Sequence, residues 1–399
     1  MIINIQKTKL SGNLTARPSK SFAHRYLIAS ALSENESIIS NVDFSNDINA
    51  TLNCIYAYGK SHIKDFENHK VNFSNESTKN FNPTFDCNES GTTLRVFFPI
   101  ALQKYEQTNF IGSNRLIERG IDIYQNIFTH VLFDKDKYSI KTKGKLSAGK
   151  YELPGNVSSQ YISGLLYALP LLPDESTINI TTKLESKNYL LMTLEVLKKY
   201  GIEIIYNQAL DTFKTPGNQK YIANDYSIEG DYSNAAFIDA FNYFGNEIIL
   251  DGLNENSLQS DKVYKEYFDK LTDKNCEIDI SNCIDLGPIL ITFAALKNGA
   301  RFVNTSRLKI KESDRGNAIA TELRKCNADI DILDNEIIVN KKDLSKPAIT
   351  LNSHNDHRIA MSLSLLSTQF DISIDGAECV SKSYPGYFDD LKKLGAIIS

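Results

Sequence analysis

SKSFAHRYLIASAL, residues 19–32, opens with small polar and basic residues and runs directly into an apolar stretch. The spacing predicts a helix. Ser19 or Ser21 can cap it, and Phe22, Leu27, Ile28, Ala31 and Leu32 supply a buried face. A helix N-terminus carries partial positive charge and favours Asp or Glu. Here Lys20 stands at the start and Arg25 one turn in. Cations set against an already positive helix end complement something outside the helix.

The same pattern returns along the chain. SGTTLRVFFPIAL begins at Ser90, SSQYISGLLYALPLL at Ser158, DYSNAAFIDAFNYF at Asp231, DLGPILITFAAL at Asp285 and DHRIAMSLSLL at Asp356. The starts are about 70 residues apart, with one shorter step of 54 between Asp231 and Asp285. A recurring period of this kind marks repeated supersecondary units, and six fit the chain. A second helix type lies between them in TLEVLKKYGIEIIY, TELRKCNADIDIL and YFDDLKKLGAIIS, each ending near Gly or Asn before a strand. YELPG, STINITT and NEIIVN read as further strands. Each unit is then roughly strand–helix–strand–helix–strand, an α/β arrangement. The first helix of each unit is apolar nearly all round, which predicts burial, with the sheets outside. Residues 60–85 are polar and carry no clear pattern.

The chain has 399 residues, 42% apolar and 23% charged, which suits one large or two smaller globular domains. A net charge of −5 gives no sign of nucleic-acid binding, so any cation cluster is local. The six cysteines are scattered without a CxxC pair and read as reduced thiols of a cytoplasmic protein. MIINIQKTKL reads as a strand rather than a targeting peptide. No apolar run reaches the roughly 18 residues of a membrane span.

The cations recur in register. Lys20 and Arg25 open the first repeat helix, Arg95 lies in the first turns of the second, and Arg358 follows Asp356 and His357 at the sixth. A further helix is expected to start at KESDR, with Lys311 and Arg315 four apart on one face. Singly, each has an ordinary structural explanation: a surface salt bridge, a cap, or a cap with a buried ion pair. Together they describe helix ends that bind anions through free backbone N–H groups, with Arg adding bidentate recognition of phosphate or carboxylate. Asp285 and Glu312 lie among these cations, and either can accept a proton from a hydroxyl. HNDH, residues 354–357, sets two histidines three apart, but no third ligand lies nearby in sequence, so no metal is assigned. There is no Walker loop, no GxGxxG after a strand and no GxSxG.

From SKSFAHR to SKSYPGYFDDLKKLG, the ordered motifs resemble the 5-enolpyruvylshikimate-3-phosphate (EPSP) synthase family of enolpyruvyl transferases. The resemblance implies a two-domain inside-out α/β barrel with six βαβαββ-type units, three per domain, around buried helices. Residues 1–14 and 228–399 would form one domain, completed by the N-terminal strand, and residues 15–227 the other, with the active site in the cleft between them. It implies transfer of the enolpyruvyl group of phosphoenolpyruvate to the 5-hydroxyl of shikimate 3-phosphate, with release of phosphate, by addition and elimination through a tetrahedral intermediate. No metal or organic cofactor is implied. The partners are two small molecules, with no nucleic acid and no membrane, and the enzyme is expected to be a cytoplasmic monomer.

Carried onto this sequence, the resemblance gives shikimate 3-phosphate to Lys20, Ser21, Arg25, Ser158, Ser159, Gln160, Ser186, Tyr189, Asp285 and Lys311. Phosphoenolpyruvate falls to Lys20, Gly91, Arg119, Gln160, Arg315, Arg358 and Lys382. Asp285 is the implied base at the hydroxyl and Glu312 the implied proton donor to the methylene carbon, assisted by Lys20, His357 and Lys382. Three positions depart from the family pattern: Pro18 directly before SKS, Asn88 where glycine is common, and Gly120 where proline is frequent. The sister transferase acting on UDP-N-acetylglucosamine usually carries a catalytic Cys before the position of Arg119, and TNFIGSNRLIERG has none. A non-catalytic anion-binding protein of the same fold is the other alternative. The full set of Lys20, Asp285, Glu312 and Lys382 argues against it.

Overall fold

The computed structural model describes residues 1–77, 83–273 and 276–399. Four sheets repeat one topology. Thr84–Asp86 pairs parallel with Gln107–Ile111, which pairs antiparallel with Ser139–Lys143, which pairs antiparallel with Leu132–Lys135. Lys150–Leu153, Ser176–Ile180, Thr212–Thr215 and Ile205–Tyr206 follow the same order, as do Glu277–Asp279, Ala300–Val303, Glu336–Asn340 and Asp329–Ile332. In chain order each is βαβαββ. The first repeat borrows its parallel strand, Tyr226–Ser227, from much later in the sequence and pairs it with Ser37–Ser40. Its hairpin, Lys60–Asp65 with Lys70–Ser77, falls in the stretch that gave no sequence pattern; residues 78–82 lie outside the described residues.

The two remaining repeats are shortened. Glu247–Asp251 pairs only with Ser11–Thr15, and among the described residues no hairpin stands between the helix Tyr264–Lys270 and the strand Glu277–Asp279. The missing hairpin accounts for the 54-residue step. The last sheet orders Leu351–Asn352, Ile372–Asp375 and Ile2–Ile5, so the first strand of the chain closes the final repeat. The chain divides into two compact units, Met1–Ser19 with Glu229–Ser399, and Lys20–Ile228.

Burial separates the layers. Strands such as Lys150–Leu153 alternate exposed and buried residues, so one face of each sheet meets solvent. Lys20–Leu32, Gly91–Lys104, Ser159–Ala168, Tyr232–Asp239, Gly287–Leu296 and His357–Ser364 are buried nearly all round; from Gly287 to Ala295 every residue is. The helices are therefore the interior and the sheets the outer wall of each unit.

One helix contact shows how close the packing is. A Cβ on Gly164 would lie 2.6 Å from the Arg95 carbonyl and 3.0 Å from the Pro99 ring, so only glycine lets Ser159–Ala168 approach Gly91–Lys104 at this point. Pro99 has no N–H, which leaves the Arg95 carbonyl without its helical donor. The Tyr124 hydroxyl takes that place, donating at 2.8 Å. Burial holds the Tyr124 pKa well above the usual phenol range, so the group keeps its proton. Tyr124→Phe is expected to strand this buried carbonyl and cost about 1–3 kcal/mol, read as a lower urea midpoint with an unchanged m-value.

Candidate active site

In the discontinuous unit, the side chains singled out from sequence converge on one carboxylate. Asp285 sits in a 3-10 turn, Ile284–Leu286, immediately before the buried helix Gly287–Leu296, where Pro288 is tolerated because first-turn N–H groups have no helical acceptor. Its Oδ1 is 3.0 Å from Lys311 Nζ and 2.8 Å from Arg315 Nη1, and its Oδ2 is 3.3 Å from Arg358 Nη2. Arg358 Nη1 also donates to the Asp285 carbonyl at 3.2 Å. Arg315 is shared: its Nε and Nη2 bind Asp356 at 2.8 and 3.2 Å. Asp356 in turn caps His357–Ser364 by accepting from Arg358 N at 3.0 Å. Glu312 Oε2 and His357 Nδ1 share a hydrogen bond at 2.9 Å, and Glu312 lies 3.7 Å from Arg315. Lys382 donates to the Asn355 carbonyl at 2.6 Å, one residue before Asp356.

KESDR does not begin a helix at Lys311, as its spacing suggested. Asp314 accepts from Asn317 N at 3.2 Å and so caps a helix that starts at Arg315. Lys311 follows the 3-10 turn Ser306–Ile310 in extended backbone, and it is chain direction, not a shared helix face, that brings both cations to Asp285.

Charge balance decides protonation here. Burial alone would raise the Asp285 pKa, but Arg358, then Lys311 and Arg315, outweigh it and hold the carboxyl well below its usual range. Burial also opposes the ionised form of Asp356, and Arg315 overcomes it. Lys311 is pushed down to about 8 by burial, with Asp285 pulling the other way. Asp261, buried and hydrogen-bonded by the Ser233 hydroxyl, is pushed up to about 6 by burial and then by the charge of Asp285. Glu312, Asp356 and His357 bring one potential metal-ligand atom each within 4.8 Å. The Arg315 guanidinium already lies 2.8 Å from Asp356 and would repel a divalent cation, so the cluster is an ion-pair network.

In the continuous unit, polar bonds tie the N-terminal turns of its three buried helices into a ring. His24 Nδ1 meets Thr51 Oγ1 at 2.7 Å, and Thr51 meets Thr93 at 2.7 Å, joining Lys20–Leu32 to Gly91–Lys104. Arg95 Nη1 donates to Gln160 Oε1 at 2.8 Å, joining Gly91–Lys104 to Ser159–Ala168. Ser163 meets Thr193 at 2.8 Å and Arg25 Nε donates to Thr193 at 2.9 Å, closing the ring. Arg25 also donates to the carbonyls of Ser21 and Tyr189 at 2.7 and 2.9 Å. Tyr189 N binds the Ser186 carbonyl at 3.1 Å, and Ser186 has a left-handed backbone with φ 55°. Lys20 is paired with Asp47 at 2.8 Å.

Gly91 opens its helix beneath two guanidinium groups: a Cβ there would be 3.1 Å from Arg95 Nη1 and 3.2 Å from Arg119 Nη2. Gln160 Nε2 donates to Thr92 at 2.8 Å, Ser158 caps the third helix by accepting from Gln160 N at 3.3 Å, and Ser159 is buried behind it. Two sequence departures fit the backbone. Asn88 has φ 50° and Gly120 φ 63°, left-handed values that asparagine tolerates and proline cannot adopt.

Sequence reasoning missed Asp47, Thr92, Thr193, Asp261 and Ser313, whose hydroxyl donates to Asp356 at 3.0 Å, and left Arg95 and Asp356 out of the site. Asp47 and Asp356 look like ordinary N-terminal acids. Only their distances to Lys20 and Arg315 distinguish them.

Two units of buried helices, with cations at the helix starts, define an α/β fold built to meet anions. It is the fold of a solved EPSP synthase from Acinetobacter baumannii, which superposes with a TM-score of 0.79 at 21% identity, covering 100% of this chain and 99% of that one. Residues 5–391 match the sequence profile described as EPSP synthase (3-phosphoshikimate 1-carboxyvinyltransferase). A 3-phosphoshikimate 1-carboxyvinyltransferase of Clostridium perfringens (strain 13 / Type A) is 42% identical, spanning 99% of this chain and 98% of its own. One of Clostridium acetobutylicum is 40% identical over 98% and 97%. The chain belongs to the EPSP synthase family.

Arg315 is the shared partner of two acids, the fully buried Asp356 and the partly buried Asp285. Arg315→Leu is expected to cost about 3–5 kcal/mol by leaving the buried Asp356 carboxylate without its cation, while Asp285 keeps Lys311 and Arg358. Adding Asp356→Asn should recover part of that loss in the same denaturation experiment.

Proposed function

We propose that this chain transfers the enolpyruvyl group of phosphoenolpyruvate to the 5-hydroxyl of shikimate 3-phosphate and releases inorganic phosphate. The observation that carries the reading is Asp285 held among Lys311, Arg315 and Arg358 at 2.8–3.3 Å. It combines a proton acceptor with cations able to hold anionic groups in one place. Family membership supports the same reaction.

The roles are those the family resemblance implies. Ser21 and Arg25 hold the carboxylate end of shikimate 3-phosphate, and Ser158, Ser159 and Ser186 hold its phosphate, with Tyr189 alongside. Gln160 lies under the ring and reaches phosphoenolpyruvate. Asp285 and Lys311 hold the ring hydroxyls. Lys20, Gly91, Arg119, Arg315, Arg358 and Lys382 hold phosphoenolpyruvate. Lys20 also reaches shikimate 3-phosphate.

In the addition step the 5-hydroxyl oxygen attacks C2 of phosphoenolpyruvate. Its proton passes to Asp285 while Glu312 protonates the methylene carbon. The resulting tetrahedral carbon carries both oxygens. In elimination the new methyl group gives a proton back, the C–O bond to phosphate breaks, and phosphate leaves with its electron pair, assisted by Lys20 and Lys382. His357, 2.9 Å from Glu312, steadies that carboxyl and relays its proton. Cations compensating charge that builds on the departing phosphate lower the barrier to its release. We place the enzyme in the cytoplasm as a monomer with small-molecule partners only.

A phosphate-release assay with both substrates tests the reading. Release is expected to require shikimate 3-phosphate, to be absent with UDP-N-acetylglucosamine, and to fall by about 10²–10⁴-fold in Asp285→Ala. No release from the unmutated enzyme would sink it. Lys311 adds a pH signature. It is charged below about 8 and neutral above. At low shikimate 3-phosphate the rate should therefore fall as pH rises through that value, and Lys311→Arg should move the fall to higher pH.

A further inference from the structure

Lys382 is held by the carbonyl of Asn355 at 2.6 Å, and that carbonyl is presented by an unusual piece of backbone. His354 and Asn355 are successive residues in the left-handed region, with φ 52° and 53°. Non-glycine residues adopt it uncommonly, and two in a row persist only when surrounding bonds over-determine them.

The bonds come from two sides. On one, Ser353 N binds the Asp375 carbonyl at 2.9 Å, Ser353 Oγ donates to the Gly376 carbonyl at 2.9 Å and accepts from Asn355 N at 3.2 Å. On the other stands Glu322, whose side chain is almost wholly buried. Glu322 Oε1 accepts from His354 Nε2 at 2.9 Å, and Oε2 accepts from Asn352 N at 2.8 Å and Lys325 Nζ at 2.7 Å.

Glu322 and Arg315 are seven residues apart on the helix Arg315–Arg324, two turns along one face. That face grips the segment 352–356 at both ends, Arg315 through Asp356 and Glu322 through Asn352 and His354. The mechanism above gives Glu322 and His354 no task. Their bonds go to the turn that aims the Asn355 carbonyl.

We propose that Glu322 and His354 are positioning residues for Lys382, fixing its ammonium by fixing the carbonyl that holds it. The kinetic part rests on the reading that Lys382 binds phosphoenolpyruvate; the geometric part does not. Losing the His354 bond lets the turn relax from its left-handed pair and swings the carbonyl away. Lys382 then loses that bond while the contacts assigned to shikimate 3-phosphate stay as they were.

The test uses the full-length enzyme and the variants His354→Ala, His354→Gln and Glu322→Gln, each checked for an intact circular dichroism spectrum. His354→Ala should raise KM for phosphoenolpyruvate by about five-fold or more and lower kcat, with KM for shikimate 3-phosphate within about two-fold. His354→Gln, which keeps a donor of similar reach, should restore most of the loss, and Glu322→Gln should fall between. A second readout needs no substrate: acetylation of Lys382 by N-hydroxysuccinimidyl acetate, followed by peptide mass spectrometry, should be faster in His354→Ala. Equal rises in both KM values, no rescue by glutamine, or an unchanged acetylation rate would overturn the assignment. If the unmutated enzyme releases no phosphate, the functional reading fails and the acetylation arm still decides the positioning claim.

Discussion

Three cations converge on the Asp285 carboxylate, and much of the surrounding structure is arranged to keep them there. Taking two guanidinium groups and an ammonium out of water is costly unless acids and hydrogen bonds answer them. Asp285 answers all three, Asp356 answers Arg315 a second time, and the carbonyls of Asp285 and Asn355 take the remaining reach of Arg358 and Lys382. The network is costly to build but needs little reorganisation when negative charge arrives. That is the condition under which fixed dipoles and charges lower a barrier most.

The helices supply the scaffold for that network. Each unit buries three of them, with bodies given over largely to apolar contact and the charged side chains of the network at or near their starts. Because the sheets face outward, the helix ends are the places where buried backbone N–H groups and charged side chains can meet. In the continuous unit the ring running through Thr51, Thr93, Gln160, Ser163 and Thr193 locks those ends to one another with neutral hydroxyls and an amide. Arg25 and Arg95 stand in the same ring, and their partners there are a hydroxyl and an amide rather than acids, so these bonds add rigidity without cancelling the two positive charges.

The architecture was legible in the sequence because the repeat is strong. Six capped apolar helices at a near-constant step announce buried helices, and the short step between Asp231 and Asp285 marks the repeat in which no hairpin stands among the described residues. The hairpin Lys60–Asp65 with Lys70–Ser77 was not legible. It is a half-exposed edge whose inward face rests on Val71 and Phe73, too few apolar positions to set a period. At the site, the cations stood out because they contradict helix-end electrostatics. Their acidic partners did not, because Asp47 and Asp356 obey the ordinary preference for acids at helix starts. Lys311 is recognised but its expected place on the helix face beside Arg315 is not met: a cap at Asp314 starts the helix later than the spacing suggests.

The strand Ile2–Ile5 closes the last sheet beside Ile372–Asp375, and Asn4 exchanges backbone hydrogen bonds with Ser399 at 2.8 and 3.0 Å. On the ribosome the opening strand therefore emerges long before its partner exists. At about 5–20 residues per second it waits roughly 20–70 seconds. Residues 20–228 form a contiguous unit that can condense during that interval, leaving the nascent leading edge tethered and unpaired until residues 372–375 have been made.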